Sequence, residues 1–251
     1  MDSVTVETVA DVELTEPVLV EGLPGVGHVG KLAAEHLIEV ADGEAAWRVY
    51  SEHFPPQVTV DGEGLTELAH ASFYAVETDG RDLLVLTGDH QAGDTVGHYR
   101  LGEAFLDVAE DAGVEEVYAL GGVPTGELVE EYGVLGAATT EARVERLREA
   151  DVEFRDEEPA GGIVGTSGLL LGLGERRGFD AACLMGETSG YLVDPKSAQA
   201  VLEVLEDVLD VTIDFSNLED RAEELEEVVG QLQEMEEGVG GATDEDLRYI
   251  G

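Results

Sequence analysis

The chain has 251 residues, 43% of them hydrophobic: enough for one large domain, or one domain with an appendage, around a real core, so disorder is not expected. Its 57 acidic side chains against 13 basic ones give a formal net charge of −44, which argues against nucleic acid and anionic membrane as partners, since both need clustered Lys and Arg. Such a surface repels itself unless salt screens it, and the Debye length falls from roughly 10 Å at 0.1 M to roughly 3 Å at 1 M; the composition therefore suits a salt-accumulating, halophilic cell.

The start, Met1-Asp2-Ser3-Val4, has no basic segment followed by an apolar one, and no long apolar run follows, so a cytosolic, cytoplasmic protein is expected. Short apolar runs bounded by Gly, Asp or Pro then alternate with amphipathic stretches, the pattern of an α/β layer protein with a mostly parallel central sheet. Strands are predicted at Val18 to Glu21, Ala46 to Ser51, Gln57 to Val60, Ala69 to Glu77, Leu83 to Thr87, Glu116 to Leu120 and Ala181 to Met185. Helices are predicted at His28 to Val40, Asp94 to Ala112, Glu141 to Ala150, Thr166 to Arg177 and Pro195 to Leu209, the last opened by Asp194 as N-cap and Pro195 at the first helical position. The single cysteine, Cys183, forbids an intrachain disulfide and reads as a small buried hydrophobe.

The texture changes after Phe215. Leu218, Leu225, Leu232 and Val239 recur every seven residues among glutamates, a heptad seam expected to form a helix over about Asn217 to Glu237 that packs on the domain or, by preference, on a sister subunit. Gly238, Gly240 and Gly241 then lead into a charged end that closes on Tyr249-Ile250-Gly251. The expected organisation is an α/β domain over 1–215, an amphipathic helix over 216–238 and an acidic flexible tail over 239–251.

Between the first strand and the first helix, Gly25, Gly27 and Gly30 spell G-x-G-x-x-G, and Gly25 through Lys31 spells G-x-x-x-x-G-K. Amides at such a helix start can hold an anion, with Lys31 reinforcing them; the other reading is a tight strand-to-helix crossing. Each nucleotide pattern has a fault, for Leu32 stands where a P-loop needs Ser or Thr, and Glu52 is a loose match to the ribose acid. His53 could pair with Asp89 and His90 as an acid/base set across neighbouring loops, or all three are ordinary hydrogen-bonded loop residues. No metal spacing and no nucleophile elbow is present; Thr166 and Ser167 read as a helix N-cap, and neither a cofactor nor a metal is expected.

Taken in order, Gly22-Leu23-Pro24-Gly25-Val26-Gly27, Glu52-His53-Phe54-Pro55-Pro56-Gln57, Thr87-Gly88-Asp89-His90-Gln91, Gly121-Gly122-Val123-Pro124-Thr125-Gly126, Gly168-Leu169-Leu170-Leu171-Gly172 and Gly186-Glu187-Thr188-Ser189-Gly190 through Asp194-Pro195-Lys196 resemble the archaeal branch of the proteasome assembly chaperone family, from about Pro17 to Leu209. The resemblance implies a three-layer α/β sandwich like that of phosphorylases and hydrolases, a homo-oligomer, no catalysis, and an ATP-independent chaperone or adaptor for the proteasome core particle or its subunits. It also implies a C-terminal tail, hydrophobic then Tyr then any last residue, that docks between core subunits. Here Tyr249 is third from the end instead of second, and Arg248 precedes it; Leu247, Tyr249, Ile250 and the carboxylate of Gly251 are the candidate docking residues, the other reading being a frayed end. The alternative function is a phosphorylase- or hydrolase-like enzyme, or a nucleotide-binding protein, using the loops around Gly25, His53 and Asp89.

Overall fold

The computed structural model describes residues 3–60, 62–127, 129, 131–155, 162–190 and 193–220. Among these described residues ten strands and five α-helices follow one another as β1 (Val4–Thr8), β2 (Val18–Gly22), α1 (Val29–Val40), β3 (Glu44–Ser51), β4 (Val58–Val60), β5 (Thr66–Leu68), β6 (His70–Val76), β7 (Leu83–Gly88), α2 (Thr95–Asp111), β8 (Glu116–Pro124), β9 (Val134–Ala138), α3 (Glu141–Glu149), α4 (Gly165–Arg177), β10 (Asp180–Thr188) and α5 (Pro195–Leu209), with a 3-10 turn, Val26–His28, before α1. Eight strands form one sheet in the order β1-β3-β6-β7-β2-β8-β10-β9, and β4 with β5 makes a separate ribbon.

The sheet is mixed, which corrects the expectation of a mostly parallel one. β7, β2, β8 and β10 run parallel at the centre, whereas β1, β3, β6 and β7 pair antiparallel on one flank and β9 pairs antiparallel with β10 on the other. The connections explain the left flank. Residues 77–82 between β6 and β7 are too few for a crossover helix, so the chain can only turn back beside itself.

Alternation along the central strands sorts their side chains to two faces. Val18, Val20, Val85, Tyr118 and Leu184 meet α1, α3 and α5 on one face, and Leu19, Leu86, Phe73 and Val117 meet α2 and α4 on the other. Helices thus cover both faces, which gives three layers. Three helices start on side-chain caps: Asp94 accepts from the Gly97 amide at 2.9 Å, Thr140 from Arg143 at 3.2 Å and Asp194 from Ser197 at 3.1 Å.

At the amino ends of the parallel strands Arg143 donates to Glu116 at 2.7 Å, to Asp180 at 2.6 Å and to the Tyr118 hydroxyl. Burial would raise the Glu116 carboxyl, but hydrogen bonds and charge from Arg143 and Arg81 outweigh it and hold the group below its ordinary value. After α5 the chain returns across α1, where the Asp214 carbonyl lies 2.6 Å from His36 Nε2, Phe215 stacks on the His36 ring, and Leu218 is buried. Leu218 is the first residue of the heptad seam. The rest of that seam lies outside the described residues. Among the described residues no helix is long and apolar enough to cross a membrane.

Candidate functional site

β2 and β7 are neighbours whose following helices, α1 and α2, leave to opposite faces of the sheet. Open α/β sheets place their crevice at the carboxyl end of such a switch. A cleft of about 640 Å³ lies at this edge, within the size range of small-molecule sites. It is walled by Leu23 to Val26 after β2, Leu120 to Pro124 at the end of β8, Gln91 and His98 after β7, Gly162 to Gly165 and Ser167 around the start of α4, and Cys183 and Met185 of β10.

Beneath the cleft one row of registered residues crosses the sheet: Phe73, Leu86, Glu21, Ala119, Cys183 and Ala137 on β6, β7, β2, β8, β10 and β9. Residues in register share a face, so a carboxyl group stands in the middle of an apolar row on the side of α4. Glu21 is wholly buried; its Oε1 accepts from the Leu23 amide at 3.1 Å and its Oε2 from the Ser167 hydroxyl at 2.8 Å. Burial raises this carboxyl to about 7, with the bonds from Ser167 and Leu23 pulling the other way. Burial, then the charge of Glu21, pushes the Cys183 thiol up, so it stays a neutral, buried group as the sequence suggested.

Gln91 ties the cleft's two lips together. Its Nε2 donates to the Pro24 carbonyl at 2.7 Å, and its Oε1 accepts from the Thr166 amide at 3.2 Å. The N-cap of α4 is Val164 and has no side-chain cap. Thr166 and Ser167 are therefore not the capping pair they were read as; Gln91 and Glu21 occupy their hydroxyls.

The Gly-rich segment is a close crossing of backbones. A methyl group at Gly30 would lie 2.1 Å from the Leu120 carbonyl oxygen, and Gly27 holds φ 60° against Thr188. Gly25 is extended, at φ −159°, and lines the cleft. Lys31 is buried, its ammonium 2.5 Å from Glu35, 2.9 Å from Asp89 and 3.3 Å from the Gly88 carbonyl. Burial would lower this lysine, yet the two carboxylates raise it, and Asp89 is held down in return. Lys31 and Asp89 are thus brought together, with the ammonium turned to the end of β7.

His53 does not join them. Its Nδ1 lies 2.7 Å from Asp94 Oδ2, while His90 Nε2 lies 3.0 Å from Gln57 Nε2. Of the two readings of these loops, the hydrogen bonds at His53 and His90 go to separate partners and do not join the two histidines as an acid/base set. Among the described residues no group of three or more His, Cys, Asp or Glu is placed to hold a metal ion. The tail residues Leu247, Tyr249, Ile250 and Gly251 lie outside the described residues.

Sequence reasoning missed Glu21, Ser167 and Gln91 as site residues. A signal existed for Glu21, an acid inside the otherwise apolar run Val18-Leu19-Val20 and directly before a glycine. Its pairing with a serine 146 positions away was not legible.

A mixed eight-stranded sheet with this cleft and these six motifs defines a recognisable class. The chain belongs to the PAC2 family, whose model matches residues 19–233. It is 40% identical to the uncharacterized protein MJ1210 of Methanocaldococcus jannaschii, over 100% of this chain and 99% of that one. Among solved structures it is similar to Pyrococcus furiosus PbaB, an archaeal proteasome activator, with 36% identity and a TM-score of 0.83 over 93% of this chain and 100% of that one. It is also similar to P. furiosus PbaA, an archaeal homolog of proteasome-assembly chaperone, with 28% identity and a TM-score of 0.76 over 93% and 99% of the two chains.

Proposed function

We propose that this protein is a proteasome assembly chaperone or proteasome-binding adaptor that works by protein recognition, without ATP or other cofactor, as a homo-oligomer in a high-salt cytoplasm. The observation that carries this reading is the likeness to PbaB, a proteasome activator, along the whole of that chain. Likeness to PbaA points the same way. The acidic surface supports a high-salt setting and disfavours nucleic acid and membrane as partners. The docking element is the C-terminal end, with Leu247, Tyr249 and Ile250 entering apolar pockets and the Gly251 carboxylate meeting a cation. The seam from Leu218 to Val239 packs on a sister subunit and so carries the tails on an oligomer.

A pull-down from native extract in multimolar salt tests this. Recovery of core-particle subunits by the full chain, and their loss when Tyr249 to Gly251 are removed, is the expected result. Equal recovery without the tail would remove the tail from the account, and recovery of no core subunit would remove the account.

A second reading, a phosphorylase- or hydrolase-like enzyme or a nucleotide-binding protein, has one observation in its favour, the cleft at the carboxyl ends of the parallel strands. Against an anion at Gly25 to Lys31 stands the engagement of the Lys31 ammonium by Glu35 and Asp89. Thermal shifts against nucleosides, nucleotides and phosphate separate the two readings.

A further inference from the structure

We propose that the cleft at the carboxyl ends of β2, β8 and β10 is a binding site for a small organic cation, an apolar body bearing a protonated amine that donates to Ser167 Oγ, with Glu21 behind the serine as counter-charge. The inference is independent of the proteasome reading.

Three observations on opposite sides of the cleft agree. Among the described residues Glu21 has as hydrogen-bond partners only an amide and a hydroxyl, whereas Glu116 and Asp180 at the other edge of the same sheet are both held by Arg143. A buried carboxylate without a cation is costly, and a ligand that brings one relieves the cost. Ser167 spends its single hydrogen on Glu21, so its lone pairs are what it offers to the cleft, and a ligand must donate to them. On the α2 side His98 Nδ1 lies 2.9 Å from the Asp94 carbonyl, which only accepts; in the neutral ring the proton sits on Nδ1 and Nε2 is again an acceptor. The walls are apolar at Leu23, Val123, Ile163 and Met185, which suits a hydrocarbon body.

The arrangement couples binding to a proton. The groups facing Glu21 are Ser167 from α4 and Cys183 from β10, with Leu86 of β7 and Ala119 of β8 in its row; Cys183 stays neutral because burial raises it. Glu21 is half-protonated near pH 7 when the cleft is empty. An ammonium one hydrogen bond beyond Ser167 lowers the carboxyl by roughly one to three pH units, so binding below neutral pH expels a proton.

The test is titration of the full chain, in high salt, with hexylammonium and benzylammonium, against hexanol, benzyl alcohol and hexanoate. One saturable site per chain is expected. Affinity should rise by roughly seven- to thirtyfold between pH 5.5 and pH 8, and the alcohols should bind roughly tenfold or more weakly. Glu21→Gln should flatten the pH dependence, and Ser167→Ala should weaken the amines while leaving the alcohols less changed. If Glu21→Gln does not fold, the carboxyl resonance of Glu21 in the native chain decides, since its midpoint should fall when hexylammonium is added. Absence of saturable amine binding, equal binding of amine and alcohol, or an unmoved Glu21 midpoint each overturns the proposal.

Discussion

Glu21 makes stability depend on pH in a direction opposite to that of a salt-bridged acid. Its carboxyl is raised from an ordinary 4.5 to about 7 by complete burial. Between those two values the folded chain holds a proton that the unfolded chain has released, so stability falls as pH rises through this window and levels off above it. A rise of this size corresponds to about 3 kcal/mol at pH 8 relative to pH 4, and no discount for exposure applies to a group with no exposed surface. Glu21→Gln keeps the shape and removes the titration. The expected outcome is a stability difference between mutant and parent that moves in favour of the mutant, by about 3 kcal/mol, as pH goes from 4.5 to 8. Chemical unfolding at fixed high salt, with both proteins measured at each pH, reads this difference while the titration of the other acids cancels. A difference that stays flat across the window, or that grows towards acid pH, would refute the reasoning.

Other substitutions probe the frame around the cleft. Gly30→Ala would drive a methyl group into the Leu120 carbonyl at 2.1 Å, against the backbone of β8, and a loss of about 3 kcal/mol or more in unfolding free energy is expected. Asp194→Ala removes the cap of α5 and the acceptor of the Thr188 hydroxyl, and thermal unfolding should show a loss of roughly 1 to 2 kcal/mol. Arg143→Met leaves Asp180 without its guanidinium and Glu116 with Arg81 alone; because Asp180 is 42% exposed and Glu116 keeps that partner, a loss of about 2 kcal/mol is expected, below the range for a fully buried pair. The loss should shrink as pH falls below the ordinary carboxylate range, since the Glu116 carboxyl is held low by that arginine. The Cys183 thiol should resist a thiol reagent in the folded chain and react once the chain is unfolded.

The central strands and all five α-helices were legible because their signals are local. The apolar runs Val18 to Val20, Leu83 to Leu86 and Ala181 to Met185 mark β2, β7 and β10, and α2, α3 and α5 begin on Asp94, Thr140 and Asp194, residues whose short side chains reach back to the first helical amides. The run from Gln57 to Val60 was also read as a strand, but it pairs with β5 outside the main sheet. β1, β5 and β9 were missed, β1 and β9 for physical reasons. β1 is an edge strand whose Val-Thr-Val-Glu-Thr side chains are largely exposed, and β9 is built on Gly136 and two alanines, with Val152 and Phe154 packed where a side chain would stand. Strand direction was legible where a connection is short, as between β6 and β7; elsewhere composition marks burial on both faces but not which way a neighbour runs. In the cleft, the Gly-rich spacing marks the crossing from β2 into α1, and Gly25 lines the wall. The partners of Lys31, Glu35 and Asp89, become visible only when β7 is set beside α1. The Glu21 and Ser167 pair joins residues on elements far apart in the chain, and no periodicity records such a contact.

The central claim, recognition of the proteasome without catalysis or nucleotide, is tested most directly by sedimentation of the purified full chain with the core particle of the same cell in multimolar salt and in the absence of nucleotide. Co-sedimentation that saturates, and that is reduced when residues 249–251 are removed, is the result this account predicts. Separate sedimentation at all concentrations, or association that appears only on adding ATP, would contradict it.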